Sequence, residues 1–255
     1  MPFEKKVENY DNSLTPKLSF RFNPNDMKDH SSSENKITAN NAFALNRLGL
    51  SDTLEAGRSI TLGLDYKNKK TDDLNQINNY FKLKLATVLR DKEEKFIPNK
   101  SSIHKKNSNL FGSISNQFSK YLNLSYDFSL NNDYNTVDYN DLNTTISINN
   151  FVTKFNFIKE QGEIGDANSL ANTTKYSLDE KNSFTFQTRR NRKLSLTEYY
   201  DLVYEYKNDC LTAGIKYKKS YYADEDLRPT ENLFFTITLF PLTSYEYQAS
   251  EFINQ

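Results

Sequence analysis

Tryptophan is absent from the 255 residues, cysteine occurs once (Cys210), and there are only two histidines, seven glycines and six prolines. A single cysteine excludes a disulfide framework within the chain. His30 and His104 have no Cys or second His at ligand spacing, so the common zinc boxes are excluded too, and both read as exposed loop histidines. With so little Gly and Pro, most turns must be made by clusters of Asn, Asp, Ser and Lys. Charge of one sign is also lacking: 33 basic side chains balance 33 acidic ones, which leaves no sustained field for a polyanion and argues against bulk nucleic-acid binding.

Long hydrophobic runs are missing as well. No stretch approaches the ~18 to 20 apolar residues of a membrane helix, and the opening MPFEKKVENY has no apolar signal-peptide core. Nothing at Met1 resembles a domain start: PFEKKVENYDNSLTPKLSF runs into strand-like sequence, and the chain reads as the downstream part of a longer one. The mean hydropathy of −0.78 would suit a soluble protein. That average hides a greasy face wherever strands carry one apolar and one polar side.

What is present is alternation. In KYLNLSYDFSL, Leu122, Leu124, Tyr126, Phe128 and Leu130 fall on one face, with Asn123, Ser125, Asp127 and Ser129 on the other. SITLGLDYK repeats the pattern with Ile60, Leu62, Leu64 and Tyr66. So do EYYDLVYEYK, through Tyr200, Leu202, Tyr204 and Tyr206, and LTAGIKYKK, through Leu211, Ala213, Ile215 and Tyr217. The last such run sets Leu233, Phe235, Ile237 and Leu239 against Thr236 and Thr238. Weaker strands read at KLSFRF, YFKLKLATVL, NLFGSISNQF, LNTTISI, FVTKFNFI, SLANTTKYSL and NSFTFQTRR, giving about a dozen antiparallel strands in all.

Connection lengths decide the architecture. Short turns fall near 119–120, 149–150, 179–182 and 208–209, and longer polar links at 91–108, 131–141, 159–168, 190–195 and 220–231. Counting strands puts every short turn on one edge and every long link on the other, as in outer-membrane barrels. A strand of ~10 residues at ~3.3 Å rise, tilted by ~45°, covers roughly 23 Å, near the ~25 Å apolar band of such a barrel. In water that many greasy faces would need a second sheet to cover them; lipid is the simpler partner. The expected fold is therefore all-β, an antiparallel up-and-down transmembrane β-barrel of which this chain is part. Tyr121, Tyr199, Tyr206, Tyr217 and Phe240 are candidates for its interfacial girdles.

Catalytic chemistry is not visible: there is no metal box, nucleophile elbow or phosphate loop, and no enzyme activity, cofactor or metal is expected. Asp224, Glu225 and Asp226 lie in the last long link without EF-hand spacing, so they read as a solvated loop. QTRRNRK brings Arg189, Arg190, Arg192 and Lys193 to a strand end, where phosphate recognition competes with a plain charged rim. Cys210 sits on the short-turn edge. It is either a small buried apolar residue or one half of a bridge whose partner lies outside these 255 residues.

Three segments together resemble the C-terminal barrel region of the lipopolysaccharide-assembly outer-membrane family LptD. They are LTPKLSFRFNPNDMKD, then FALNRLGLSDTLEAG, then TRRNRKLSLTEYYDLVYEYKNDCLTAGIKYKKSYYADEDLRPTENLFFTITLFPL. The resemblance implies lipopolysaccharide transport to the outer leaflet of a Gram-negative outer membrane. It implies an LptE-like plug lipoprotein, a periplasmic Lpt bridge reached through a missing N-terminal domain, and the barrel-assembly machinery as partners.

Residue by residue, the resemblance makes Cys210 the barrel side of a disulfide to that missing domain. It makes Asn232 to Leu239 one lip of a lateral opening, with Leu233, Phe235, Ile237 and Leu239 toward lipid. Arg189 and Arg190 become candidate contacts for lipopolysaccharide phosphate. Residues 1–242 are then the C-terminal part of the barrel and 243–255 a tail. A passive outer-membrane pore, or a soluble β-sandwich binding carbohydrate or protein, are the alternatives.

Overall fold

The computed structural model describes residues 2–7, 9–71, 77–222, 228–241 and 243–248. Its strands are β1 (Phe3–Val7), β2 (Tyr10–Asn23), β3 (Gly57–Thr71), β4 (Ile77–Arg90), β5 (Leu110–Ser119), β6 (Leu122–Leu130), β7 (Val137–Ile148), β8 (Phe151–Glu160), β9 (Asn168–Ser177), β10 (Asn182–Asn191), β11 (Leu196–Lys207), β12 (Leu211–Ser220), β13 (Thr230–Leu239) and β14 (Thr243–Gln248). The only helical pieces among the described residues are 3-10 turns at Asn99–Ser101 and Gly162–Ile164. All fourteen strands form one sheet in sequence order, so the protein is an all-β, up-and-down antiparallel meander with β1 and β14 at its two ends. The strands form one continuous sheet, whereas a sandwich is built of two separate sheets.

The edge asymmetry is present as expected. Residues 24–56, 91–109, 131–136, 161–167, 192–195 and 221–229 link strands on one edge, and 120–121, 149–150, 178–181, 208–210 and 240–242 on the other. Two features differ from the sequence reading. The stretch beyond residue 242 contributes β14, which pairs with β13 from Leu239↔Thr243 to Phe234↔Gln248. The connection 24–56, in which no strand period is visible, is an ordered insert.

The chain divides into two compact units, Met1–Leu142 with Ile158–Ala167, and Asn143–Phe157 with Asn168–Gln255. In the first, the register Arg21↔Ser59, Ser19↔Thr61 and Lys17↔Gly63 continues as Ser59↔Arg90, Thr61↔Val88 and Gly63↔Ala86, then Ala86↔Phe111 and Phe111↔Ser129. One face of β2 to β6 is therefore mostly polar or small, and its side chains are buried in β3 to β5 and half-buried in β2. The opposite face carries Leu18, Phe20, Phe22, Ile60, Leu62 and Leu89, all exposed.

This is a core turned inside out. Ser59 and Thr61 are 3% and 2% exposed, while Leu18 and Phe20 next to them are 74% and 67% exposed. On its outward face Gly112 leaves room for Phe128 of the neighbouring strand, whose ring lies where a Cβ would sit.

The second unit keeps the same division. Its apolar face aligns Phe184↔Tyr204, Phe186↔Leu202, Tyr204↔Ile215, Ile215↔Phe235 and Ile237↔Tyr245. The other face holds the buried Ser183 and Asp201, the latter ion-paired with Lys216 at 3.2 Å. Thr153 is a polar exception beside the apolar face. It is 3.0 Å or less from both Thr174 Oγ1 and Asn172 Nδ2, so its buried polar group is satisfied within the protein.

Candidate functional site

The first unit has a true hydrophobic core, and it lies on the polar face of the sheet. Met27, Ile37, Ala39, Ala42, Leu48, Leu50 and Ala56 of the insert pack with Ala86, Val88 and Phe111 of β4 and β5 and with Ile97 and Ile103 of the next link. The insert alone has no strand or helix of its own to bury these side chains, so it takes the strand face as its second layer. Phe43 lies over Gly63, where a Cβ would come within 2.5 Å of the ring and 3.0 Å of the Leu85 carbonyl. Only glycine leaves that seat open.

A charged cluster fastens the insert. Arg47 grips Glu55 with both arms, Nε to Oε2 at 2.7 Å and Nη2 to Oε1 at 2.5 Å, and donates to Thr61 Oγ1, Ser59 Oγ and the Ala42 carbonyl. All five guanidinium N–H groups are thereby used. Arg90 Nη1 donates to the same carboxylate at 2.6 Å and its Nη2 to the Ala56 carbonyl. Arg21 holds the Leu45 and Ala44 carbonyls and lies 3.8 Å from Glu55.

Gly57, at φ +82°, turns the chain out of this cluster into β3 close against Arg90, a conformation few other residues tolerate. Glu55 is almost wholly buried. Burial pushes its carboxyl up, but the hydrogen bond and charge of Arg47, with the charges of Arg90 and Arg21, outweigh that and hold it below the ordinary glutamate range.

The second long link, 91–109, lies beside the insert. His30 N donates to the Phe96 carbonyl and Asn99 N to the Ser31 carbonyl, both at 3.0 Å, and Lys100 pairs with Glu34. Lys36 of the insert reaches Glu160. Neither histidine is a free loop side chain. His30 bridges Ser33 and Asp52, and His104 is half-buried, its imidazole lowered by burial although Glu163 opposes this. The polar lumen expected from the strand sequence is thus occupied, in this unit, by folded protein.

Arg21, Arg47, Glu55 and Arg90 belong to no motif visible in the sequence. The signal for an insert lies in FALNRLGLSDTLEAG, where apolar residues occur without strand period between two strands. The pairing of Arg47 and Glu55 with Arg90 depends on register and could not be read there.

The residues singled out from the sequence are scattered. Cys210 is exposed and unbridged in the turn between β11 and β12, its carbonyl accepting from Phe240 N at 3.0 Å. Leu233, Phe235, Ile237 and Leu239 share one face of β13, opposite Tyr217, Ile215, Ala213 and Leu211 of β12, and β14 lies on their other side.

Arg189 and Arg190 do not share a site. Arg189 pairs across to Tyr199 on the polar face and its Nε lies 3.0 Å from Glu198, the residue bulged out of β11. Arg190 lies across from Leu170 on the apolar face. Tyr199 is likewise on the polar side, under Lys218, so it is no girdle residue, whereas Tyr206 and Tyr217 face the apolar side. Asp224, Glu225 and Asp226 lie outside the described residues. Among the described residues no three His, Cys, Asp or Glu side chains gather as metal ligands, and no helix is long and apolar enough to cross a membrane.

Comparison with known proteins gives one informative match. The family model described as LptD, LPS transport system D, matches residues 1–179. No curated protein matches. Among solved structures, one described as "Asymmetric conductivity of engineered proteins" aligns over 94% of this chain and 94% of its own at 10% identity, with a TM-score of 0.42, too slight a likeness to carry an argument.

Proposed function

The chain belongs to the LptD family, whose members serve lipopolysaccharide transport and outer-membrane assembly, and from that premise we propose that it is the C-terminal barrel part of a lipopolysaccharide translocon. Its place would be the outer membrane of a Gram-negative cell. The observation that carries this reading is the inverted exposure of the strands: Leu, Ile and Phe outside, Ser, Thr and Arg inside. Such a sheet is stable where the outside is lipid and every backbone group is paired.

In this reading the strands β1 to β14 belong to the barrel, β14 included. The partners are an LptE-like plug lipoprotein, a periplasmic Lpt bridge, the barrel-assembly machinery and lipopolysaccharide itself. Packing of the insert against β2 to β5 covers the polar face there, which favours a translocon over an open passive pore. Leu233, Phe235, Ile237 and Leu239 would line the lateral opening on their lipid side, which requires β14 to leave the β13 edge. Cys210, exposed on the short-turn edge, would bridge to the periplasmic domain.

Complementation tests both parts. In cells depleted of the full-length gene product, restoring it is expected to return newly made lipopolysaccharide to the cell surface. Cys210→Ser is expected to change mobility on non-reducing gels and to restore less surface lipopolysaccharide. Unchanged surface lipopolysaccharide on depletion would refute the transport role, and unchanged mobility would refute the bridge alone.

A further inference from the structure

In the second unit the apolar face ends, at the long-link edge, in two arginines with no acidic partner among the described residues. Arg190, the penultimate residue of β10, is exposed and shares its face with Leu170 and Phe186. Arg192 begins the link, its backbone N–H fixed on the Asn168 carbonyl at 2.8 Å and its guanidinium 5.2 Å from the centre of the Phe157 ring. Two cations near this edge are by contrast compensated: Arg189 by Glu198 on the opposite face, and Lys219 by Glu231 at 2.6 Å. Two free guanidiniums therefore stand where an apolar surface meets water.

We propose that Arg190 and Arg192 form an external site for the phosphate-bearing headgroup of a lipid in the leaflet at the long-link edge. This rests on the reading that the apolar face meets lipid, and it concerns a boundary lipid outside the barrel rather than cargo inside it. Guanidinium matches phosphate through paired N–H donors. Phe157, stacked beneath Arg192, holds that side chain at the interface, and Leu170 and Phe186 supply the surface for an acyl chain. Arg189 is not part of the site.

The test uses the full-length protein in vesicles of neutral lipid, with labelled diphosphoryl lipid A as the probe. The double variant Arg190→Gln, Arg192→Gln is expected to bind the probe about tenfold or more weakly, with Arg189→Gln at the wild-type level and insertion into the vesicles unchanged in both. Equal affinity for wild type and the double variant, both inserted, would overturn the site and leave the transport reading standing. Full competition by millimolar inorganic phosphate would overturn the lipid assignment in favour of a free-anion site. If wild-type protein does not insert at all, the membrane reading itself fails and the site with it.

Discussion

Glu55→Ala is expected to release the insert. The substitution leaves Arg47 and Arg90 buried without their shared carboxylate, and removing one partner of a buried ion pair costs about 3–5 kcal/mol. Both guanidiniums are almost wholly enclosed, so water does little to relieve them. The cost falls on the insert because the insert is the part that can leave: β2 to β5 are held by their own ladders, whereas residues 24–56 have no ladder.

In the full-length protein, trypsin should then cut at Lys28, Lys36 or Arg47, while the strands stay protected. Replacing Arg47 and Glu55 together by Met should recover part of the loss, since Arg47 is then no longer stranded and only Arg90 is left without the shared carboxylate. An insert that stays protected in Glu55→Ala would show that the apolar core alone holds it.

Acid should imitate the substitution. The Glu55 carboxyl is lowered in the folded protein, so its contribution is complete above the ordinary glutamate range and is lost as the pH falls through the lowered folded value. His104 acts in the same direction. Its folded value is also lowered, and its contribution begins to fail once the pH drops below the ordinary histidine range. Insert protection should therefore weaken slightly in mild acid and fail only below the carboxylate range.

Leu202→Arg separates lipid from water more sharply than any change in the core. Leu202 lies mid-strand in β11 and is 47% exposed on the apolar face, between Phe186 and Tyr217. On a water-exposed sheet such a change is worth within about 0.5 kcal/mol. At the middle of a bilayer it costs ~2–4 kcal/mol. Urea unfolding of the full-length protein from vesicles should show the larger loss. Val203→Gln, one residue along and opposite Lys216 on the polar face, should stay within about 1 kcal/mol of wild type. Equal effects at the two positions would mean that the faces do not differ in solvent.

Much of this was legible beforehand because a strand writes its two faces in period two. Tyr200, Leu202, Tyr204, Leu211, Ala213 and Ile215 alternate in the sequence and share a face in the sheet. Counting strands was enough to place turns and links on opposite edges. The insert was illegible for the same reason: with no period, the partners of Met27, Leu48 and Glu55 are set by tertiary register. Arg189 and Arg190 show a different failure. Neighbours on a strand face opposite ways, and the bulge at Glu198 in β11 did not bring them together, so a shared phosphate site contradicted the period that found the strand. Position near a strand end points Tyr199 to a girdle, but the period of β11 puts it on the polar face.

The most direct measurement is the solvent at the two faces. In a Cys210→Ser background of the full-length protein, a nitroxide can be attached at Leu202→Cys or Ile237→Cys on one face, and at Val203→Cys or Thr238→Cys on the other. With the protein in vesicles, labels at 202 and 237 should relax with molecular oxygen and be shielded from a water-soluble nickel chelate, and labels at 203 and 238 should not show this lipid signature. Collisions with the nickel chelate at 202 and 237 as frequent as at 203 and 238 would contradict a lipid-facing sheet, and with it the barrel reading.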